Sequence, residues 1–215
     1  MLIAEKITFI EKESILLNEI SFVLNSGDAI RIEGNNGAGK TTLLKIITGM
    51  IHPDSGEISW KNISIFKLKE DYHSKIIYLG HKLALKGDLT VSENLQFYSL
   101  LARKNKSNIT FESIIDQLNL GNYSDILVRN LSEGQKRRVA LARLWHSDAK
   151  LWILDEPFTA IDYELKQQLI KLFDSHIGNG GMILYTSHHY VISNSIILKL
   201  NEEGINTIYQ NGKSI

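Results

Sequence analysis

Gly34-Asn35-Asn36-Gly37-Ala38-Gly39-Lys40-Thr41 is the stretch that decides the fold. It fits the spacing G-x-x-x-x-G-K-S/T, and its neighbours supply the context that spacing requires. Ahead of it, Ala29–Glu33 reads as a strand. Behind it, TTLLKIIT from Thr41 to Thr48 carries a helical pattern that Gly49 closes. Strand, glycine-rich loop and helix in that order form a cradle for an anion. The glycines let the backbone curl until successive N–H groups face one point. The helix N-terminus adds partial positive charge there. Gly34, Asn35, Asn36, Gly37, Ala38 and Gly39, with Thr42 behind them, are therefore read as the phosphate-binding backbone of an ATP site. Lys40 is placed to reach the β- and γ-phosphate oxygens, and the Thr41 hydroxyl to ligate Mg²⁺. The bland alternative is a glycine-rich turn with a chance Lys-Thr; the flanking strand and helix weigh against it.

Further along, Leu151-Trp152-Ile153-Leu154 is an apolar strand that runs into Asp155-Glu156. Two adjacent carboxylates at such an end suit a cation and a reaction more than they suit packing. Asp155 is read as a holder of Mg²⁺, and Glu156 as the general base that polarises an attacking water. Solvated acids at an exposed strand end are the alternative, and the glycine-rich loop upstream makes it the weaker one. Pro157 stops the strand at once. Between these two pieces lies Leu131-Ser132-Glu133-Gly134-Gln135, followed by KRRVALAR. Ser132, Gly134 and Gln135 sit where a helix begins, which is again a place for an anion. Taken alone, LSEGQ is also compatible with an ordinary capped helix in which Ser132 bonds to Gln135.

The rest of the chain arranges itself around these pieces. Leu2–Ile10 and Ile15–Leu24 read as strands, with a turn at Ser26-Gly27-Asp28. Glu57–Trp60 follows a turn at Pro53–Gly56, and Ile76–Leu79 has the apolar character of a strand inside a parallel sheet. From Leu89 to Trp145 the pattern is helical. Thr90 and Glu93 make a capping box, Thr110 caps a helix over Phe111–Leu118 closed near Gly121, and Ser132 opens a third. Strands return at Leu151–Leu154 and Met182–Thr186 with a helix over Tyr163–Ser175 between them. Ile196–Leu200 and Ile205–Tyr209 flank Asn201–Gly204 as a hairpin. The organisation is an α/β core interrupted by helices at about 88–145. A β-rich layer is expected from the N-terminus and residues near 57–65, with the C-terminus as a further contributor.

Composition excludes several classes. The 215 residues are 43% hydrophobic and 22% charged, ordinary for a globular domain. Lys plus Arg and Asp plus Glu are both 24, so no net charge draws the chain to nucleic acid. There is no cysteine, hence no disulfide and no thiolate site. MLIAEKITFIEKE meets charge too soon for a signal peptide. No stretch approaches the roughly 18 apolar residues of a membrane helix. Work at a membrane would require docking to another protein.

LSEGQ before KRRVALAR, with the two motifs on either side, resembles the ATP-binding proteins of ABC transporters over nearly the whole chain. Glu133 stands where a glycine is usual. The resemblance implies an α/β P-loop NTPase fold with a parallel sheet, an antiparallel β layer and a helical subdomain. It implies one domain over 1–215, with 88–145 inserted in a RecA-like core. It further implies ATP and Mg²⁺ as cofactors, and a head-to-tail homodimer in which Ser132 faces the γ-phosphate held by the other copy. Thr159-Ala160-Ile161-Asp162 looks like the loop at the dimer seam, with Asp162 across it. His188, after MILYTS, looks like the switch histidine beside the γ-phosphate, with His189 ranked behind it. His81 stands where the family usually has a glutamine, and Phe9 is the nearest candidate for stacking on adenine, with core packing as the alternative.

YLGH at Tyr78–His81, LTVSENLQFY at Leu89–Tyr98, Arg143-Leu144-Trp145 and LWILDEPFTAID resemble the CcmA group, the ATP-binding subunits of the cytochrome c maturation (haem) exporter. That implies a peripheral subunit on the cytoplasmic face of the inner membrane, paired with permease subunits of the CcmB and CcmC types, whose ATP hydrolysis drives release of a haem-loaded chaperone. Lys82, Leu83 and Leu85 would lie near the membrane partner. Lys136-Arg137-Arg138 reads as a solvated helix face rather than a nucleic-acid patch. An exporter ATPase for a drug, lipid or polysaccharide is the alternative, since the engine would be identical. A DNA-repair ATPase would need coiled-coil arms, a second cassette or basic surfaces. A nucleotide sensor that does not hydrolyse would lack Glu156 or His188.

Overall fold

The computed structural model describes residues 1–101, 111–187, 190–192, 195–201, 206–210 and 213–214, with 111–113, 206–210 and 213–214 described by their backbone. In chain order the elements are β1 (Leu2–Glu11), β2 (Ser14–Leu24), β3 (Ala29–Glu33), α1 (Lys40–Ile47), β4 (Ser55–Trp60), β5 (Ile63–Ser64), α2 (Ile65–Leu68), α3 (Glu70–His73) and β6 (Ile76–Leu79). There follow α4 (Val91–Leu101), α5 (Phe111–Gln117), α6 (Glu133–Ala142), β7 (Leu151–Leu154), α7 (Tyr163–Gly178), β8 (Met182–Thr186), β9 (Ile196–Leu200), β10 (Asn206–Gln210) and β11 (Lys213–Ser214). The chain divides into two compact units. One is Met1–Tyr78, Ala149–Pro157 and Phe173–Ile215; the other is Leu79–Asp148 and Phe158–Leu172.

The first unit holds two sheets. β2-β1-β4-β5 is a four-stranded antiparallel sheet, and β11-β10-β9-β3-β8-β7-β6 a seven-stranded one. In the larger sheet β9, β3, β8 and β7 run parallel. Every residue of β7 and β8 is buried, which explains their unbroken apolar runs, since a parallel strand is covered on both faces. On one face Ile30, Ile32, Ile153, Leu184 and Leu198 join the α1 residues Leu43, Leu44, Ile46 and Ile47 and the inner face of the small sheet in one core. On the other, Trp152 meets Phe173 edge-on and stacks on His176 with ring centroids 3.9 Å apart.

The C-terminal strands depart from expectation. They do not extend the antiparallel layer of β1 and β2: β9 pairs in parallel with β3, and β10 and β11 follow antiparallel at the edge of the large sheet. A hairpin pattern specifies local pairing but not which sheet receives it. The helical turns α2 and α3 were also not foreseen; four residues are too few for a periodicity signal. α7 runs on to Gly178, beyond Ser175.

In the second unit, the expected capping box of α4 is present. Glu93 N–H donates to Thr90 Oγ1 at 3.2 Å, and Thr90 N–H to Glu93 Oε2 at 2.8 Å. α5 stops before Gly121: Asn119 takes the left-handed conformation (φ 52°), and Leu120 N–H donates back to Ile115 O at 2.8 Å. Asparagine tolerates that conformation and so serves where glycine was expected. Thr110, the expected cap of α5, lies outside the described residues, as does Ile205. Val139–Ala142 are buried in succession, so α6 shows no single apolar face. Lys136–Arg138 are half-buried rather than a solvated face: Lys136 pairs with Glu133 and Arg138 with Asp162.

Candidate functional site: a phosphate loop and an acidic strand end

β3 delivers the chain into the loop 34–39, and α1 leaves it at Lys40. Gly39 is in the left-handed region (φ 87°), and a Cβ there would stand 2.8 Å from Leu17 Cδ2. A side chain would therefore push the loop off β2 as well as strain it. At Gly34 a Cβ would meet the Leu200 carbonyl oxygen at 2.8 Å. The Lys40 ammonium donates to Gly34 O at 2.6 Å and to Asn35 O at 2.9 Å, closing the loop into a ring. Asn35, Asn36 and Gly37 are exposed at its tip, while Ala38 is buried under it. No side chain caps α1, so the amides of its first turn, Lys40 to Thr42, remain available to an anion.

The loop meets the acidic strand end directly. Thr41 Oγ1 donates to Asp155 Oδ2 at 2.8 Å, and Thr186 Oγ1 donates to Asp155 Oδ1 at 2.8 Å. Asp155 is 5% exposed. Burial, and then the charge of Asp155, push the Tyr78 phenol up to about 12. Glu156 is half-buried with φ 52°, and its N–H donates to Thr186 Oγ1 at 2.8 Å. Lys40, Thr41, Asp155 and Glu156 thus come together within the first unit. Among the described residues no three His, Cys, Asp or Glu side chains gather as a metal cage. One hydroxyl and one carboxylate, both hard oxygen donors, fit Mg²⁺, which keeps waters and phosphate oxygens in its shell.

Ser132 caps α6 with a full capping box. Gln135 N–H donates to Ser132 Oγ at 3.3 Å, and Ser132 N–H to Gln135 Oε1 at 2.8 Å. The capped-helix geometry is therefore present. The Ser132 hydroxyl accepts in it, so its own proton stays available for a ligand oxygen.

The ABC transporter family profile matches residues 17–159. The cytochrome c biogenesis ATP-binding export protein CcmA of Shewanella oneidensis is 44% identical over 188 residues, covering 87% of this chain and 86% of the relative. The CcmA of Aliivibrio fischeri is 44% identical over 199 residues, covering 93% of this chain and 97% of the relative. This chain belongs to the CcmA family of ABC transporter proteins. It is an ABC-type ATPase of the CcmA type. The fold agrees. A solved ATP-binding subunit of an ABC transporter aligns with a TM-score of 0.87 at 22% identity, covering 98% of this chain and 90% of that one. A dimeric ATP-binding cassette in a post-hydrolysis state with ADP and Pi aligns with a TM-score of 0.82 at 21% identity, covering 98% of each chain.

The other residues singled out in this CcmA-family chain fall as follows. Asp162 Oδ1 accepts the Leu165 N–H at 2.9 Å and so caps α7; its other oxygen pairs with Arg138, which also donates to Leu118 O at 3.0 Å. Gly134 packs near the Ala160 carbonyl, so the LSEGQ helix and the 159–162 loop belong to one packed block of the second unit. His81 is exposed on a bend after β6. Phe9 packs against the core. His188 and His189 lie outside the described residues. Thr186 is what the sequence reading passed over. Its available signal was a hydroxyl closing an apolar strand, as Asp155 closes another.

Proposed function

We propose that this ATPase works as a head-to-tail homodimer that splits ATP at two seams, each built from the phosphate loop of one copy and the LSEGQ helix of the other. The observation that carries the ATP-splitting part of the reading is the bond from Thr41, in the first turn of α1, to Asp155, with Glu156 next in the chain; the pairing of two copies rests on the family resemblance. Lys40 and the first-turn amides of α1 hold the β- and γ-phosphates, and Lys40 exchanges its loop carbonyls for phosphate oxygens as nucleotide enters. Thr41 and Asp155 would hold Mg²⁺, which would neutralise phosphate charge. Glu156 takes a proton from water as the water oxygen attacks the γ-phosphorus, and ADP leaves with the bridging oxygen. His188 donates a hydrogen bond to the transferring phosphoryl group, and Ser132 and the amides near Gly134 close the site from the second copy. Asp162 supports that seam, and His81 stands at the sequence position of the family's usual glutamine as a candidate nucleotide contact.

The relatives are named for cytochrome c biogenesis and export. On that basis the subunit sits peripherally on the cytoplasmic face of the inner membrane, bound to permeases of the CcmB and CcmC types. Its hydrolysis drives release of the haem-loaded chaperone. The helices at 88–145, inserted in the core, grip the membrane partner through the segment with Lys82, Leu83 and Leu85. No helix among the described residues is long and apolar enough to cross a membrane, which suits attachment through a partner. The test is affinity capture from membranes with and without ATP, together with c-type cytochrome assembly in a Glu156→Gln strain. Co-capture of the maturation permeases and loss of c-type cytochromes is the expected result. A different permease with intact cytochromes would discard the haem assignment and leave an exporter for another cargo.

A further inference from the structure

We infer that Thr186 is a positioning residue that aims both carboxylates of the site, Asp155 and Glu156, through one hydroxyl group. The inference rests on the reading of Asp155 as metal holder and Glu156 as base. β7 and β8 are parallel neighbours in the register Leu154 opposite Tyr185, so Asp155, the first residue past β7, stands beside Thr186, the last residue of β8. β8 lies between β3 and β7, which places Thr186 beside the strand that feeds the phosphate loop as well as the strand that carries the acids.

Thr186 is 0% exposed, and its hydroxyl is used in both directions. It accepts the Glu156 N–H at 2.8 Å and gives its only proton to Asp155 Oδ1 at 2.8 Å. A hydroxyl with its proton so directed has no rotational freedom left, and the β-branched side chain is stiff at χ1. Asp155 Oδ2 accepts the Thr41 hydroxyl at 2.8 Å. The two carboxylate oxygens are therefore held by hydroxyls from two different elements, α1 and β8, which fixes the plane of the group. The bond to the Glu156 amide pins a residue whose φ of 52° is unusual for a non-glycine. That backbone angle sets where the Glu156 side chain begins. One buried oxygen thus couples the aim of the metal holder to that of the base. Valine has nearly the same shape and would pack equally well, so burying a hydroxyl here is explained by these two bonds rather than by volume.

The test uses the full chain with Thr186→Val, Thr186→Ala and Thr186→Ser. The hydroxyl-free variants are expected to lose about 10- to 100-fold in kcat with KM for ATP changed less than about threefold, because misplacement near 1 Å costs that much. Thr186→Ser is expected to keep kcat within about threefold of the parent. In the nucleotide-free protein the Glu156 amide should exchange its hydrogen faster in Thr186→Val and Thr186→Ala, and at nearly the parent rate in Thr186→Ser. Thr186→Ala removes the hydroxyl without crowding and serves if Thr186→Val does not fold. Parent-like kcat in a folded hydroxyl-free variant, an unchanged Glu156 amide, or equal loss in Thr186→Ser would each overturn the inference. Normal turnover by Glu156→Gln would sink the base assignment instead, and the amide exchange would still decide the clamp.

Discussion

Lys40 spans only its own loop, and its consequences are local. Its ammonium bridges the Gly34 and Asn35 carbonyls, so Lys40→Ala removes the closure of the loop and, on the proposed reading, a phosphate ligand. One or two charge-assisted hydrogen bonds lost should weaken ATP binding by roughly 10- to 100-fold and bring hydrolysis to background. Titration with a fluorescent ATP analogue checks the first part, and phosphate release the second. His176 makes a separate statement about pH. Burial against Trp152, with the Lys150 charge adding, lowers its imidazole from 6.5 to about 4, while hydrogen bonding to the backbone at Met182 and Lys150 partly opposes this. The unfolded chain takes up that proton as pH falls below about 6.5, and the folded chain holds out to about 4. His176's contribution to stability is thus complete above pH 6.5 and declines as pH drops toward 4. A denaturant-midpoint series across that range should show a slope that His176→Gln flattens; an identical slope in the variant would count against this assignment.

At the scale of elements, the ends of helices and strands carry the chemistry. α1 begins uncapped, which leaves its first amides available for the proposed nucleotide contact. α6 begins with a capping box, so Ser132 contributes to the helix and to the proposed seam together. Ser132→Ala is expected to cost about 1 kcal/mol in the stability of the chain. It should also lower ATP turnover by a larger factor than that destabilisation explains. Urea unfolding beside steady-state hydrolysis separates the two effects, and a stability loss with normal turnover would reduce Ser132 to a cap. Element ends were also where the sequence was most readable. Thr90 with Glu93, and Ser132 with Gln135, announce their helices because a capping box is made by residues three apart. The stop of α5 at Asn119 was not readable, because a left-handed asparagine and a plain loop asparagine look alike in sequence.

For the whole molecule, the proposed dimer makes hydrolysis a property of two chains. With Glu156→Gln, ATP binding is expected to persist and its splitting to stop, so the ATP-bound pair should accumulate. Size-exclusion chromatography with ATP and Mg²⁺ is expected to move the variant to the dimer position while the parent stays mostly monomeric. A variant that remains monomeric at saturating ATP would speak against the sandwich. Family membership, supported by about 44% identity to CcmA relatives along most of the chain, settles what kind of ATPase this is. The exposed bend at His81 and the segment after it are where this subunit is proposed to differ from other cassettes.

The phosphate loop, the acidic strand end and the LSEGQ helix were determined by sequence alone, because consecutive residues make each of them and their geometry follows from local backbone chemistry. The tertiary structure decided what joins the first two of them. Thr41 reaches an aspartate 114 positions away, and Thr186 reaches the same aspartate from 31 positions away. Those contacts exist because β3, β8 and β7 are neighbours in a parallel sheet whose strand order differs from chain order. The same ordering placed β9 on β3, with β10 and β11 following at the edge, rather than in the antiparallel layer. Short-range patterns encode which residues can bind a phosphate; the order of strands in the sheet sets which hydroxyl stands beside which carboxylate.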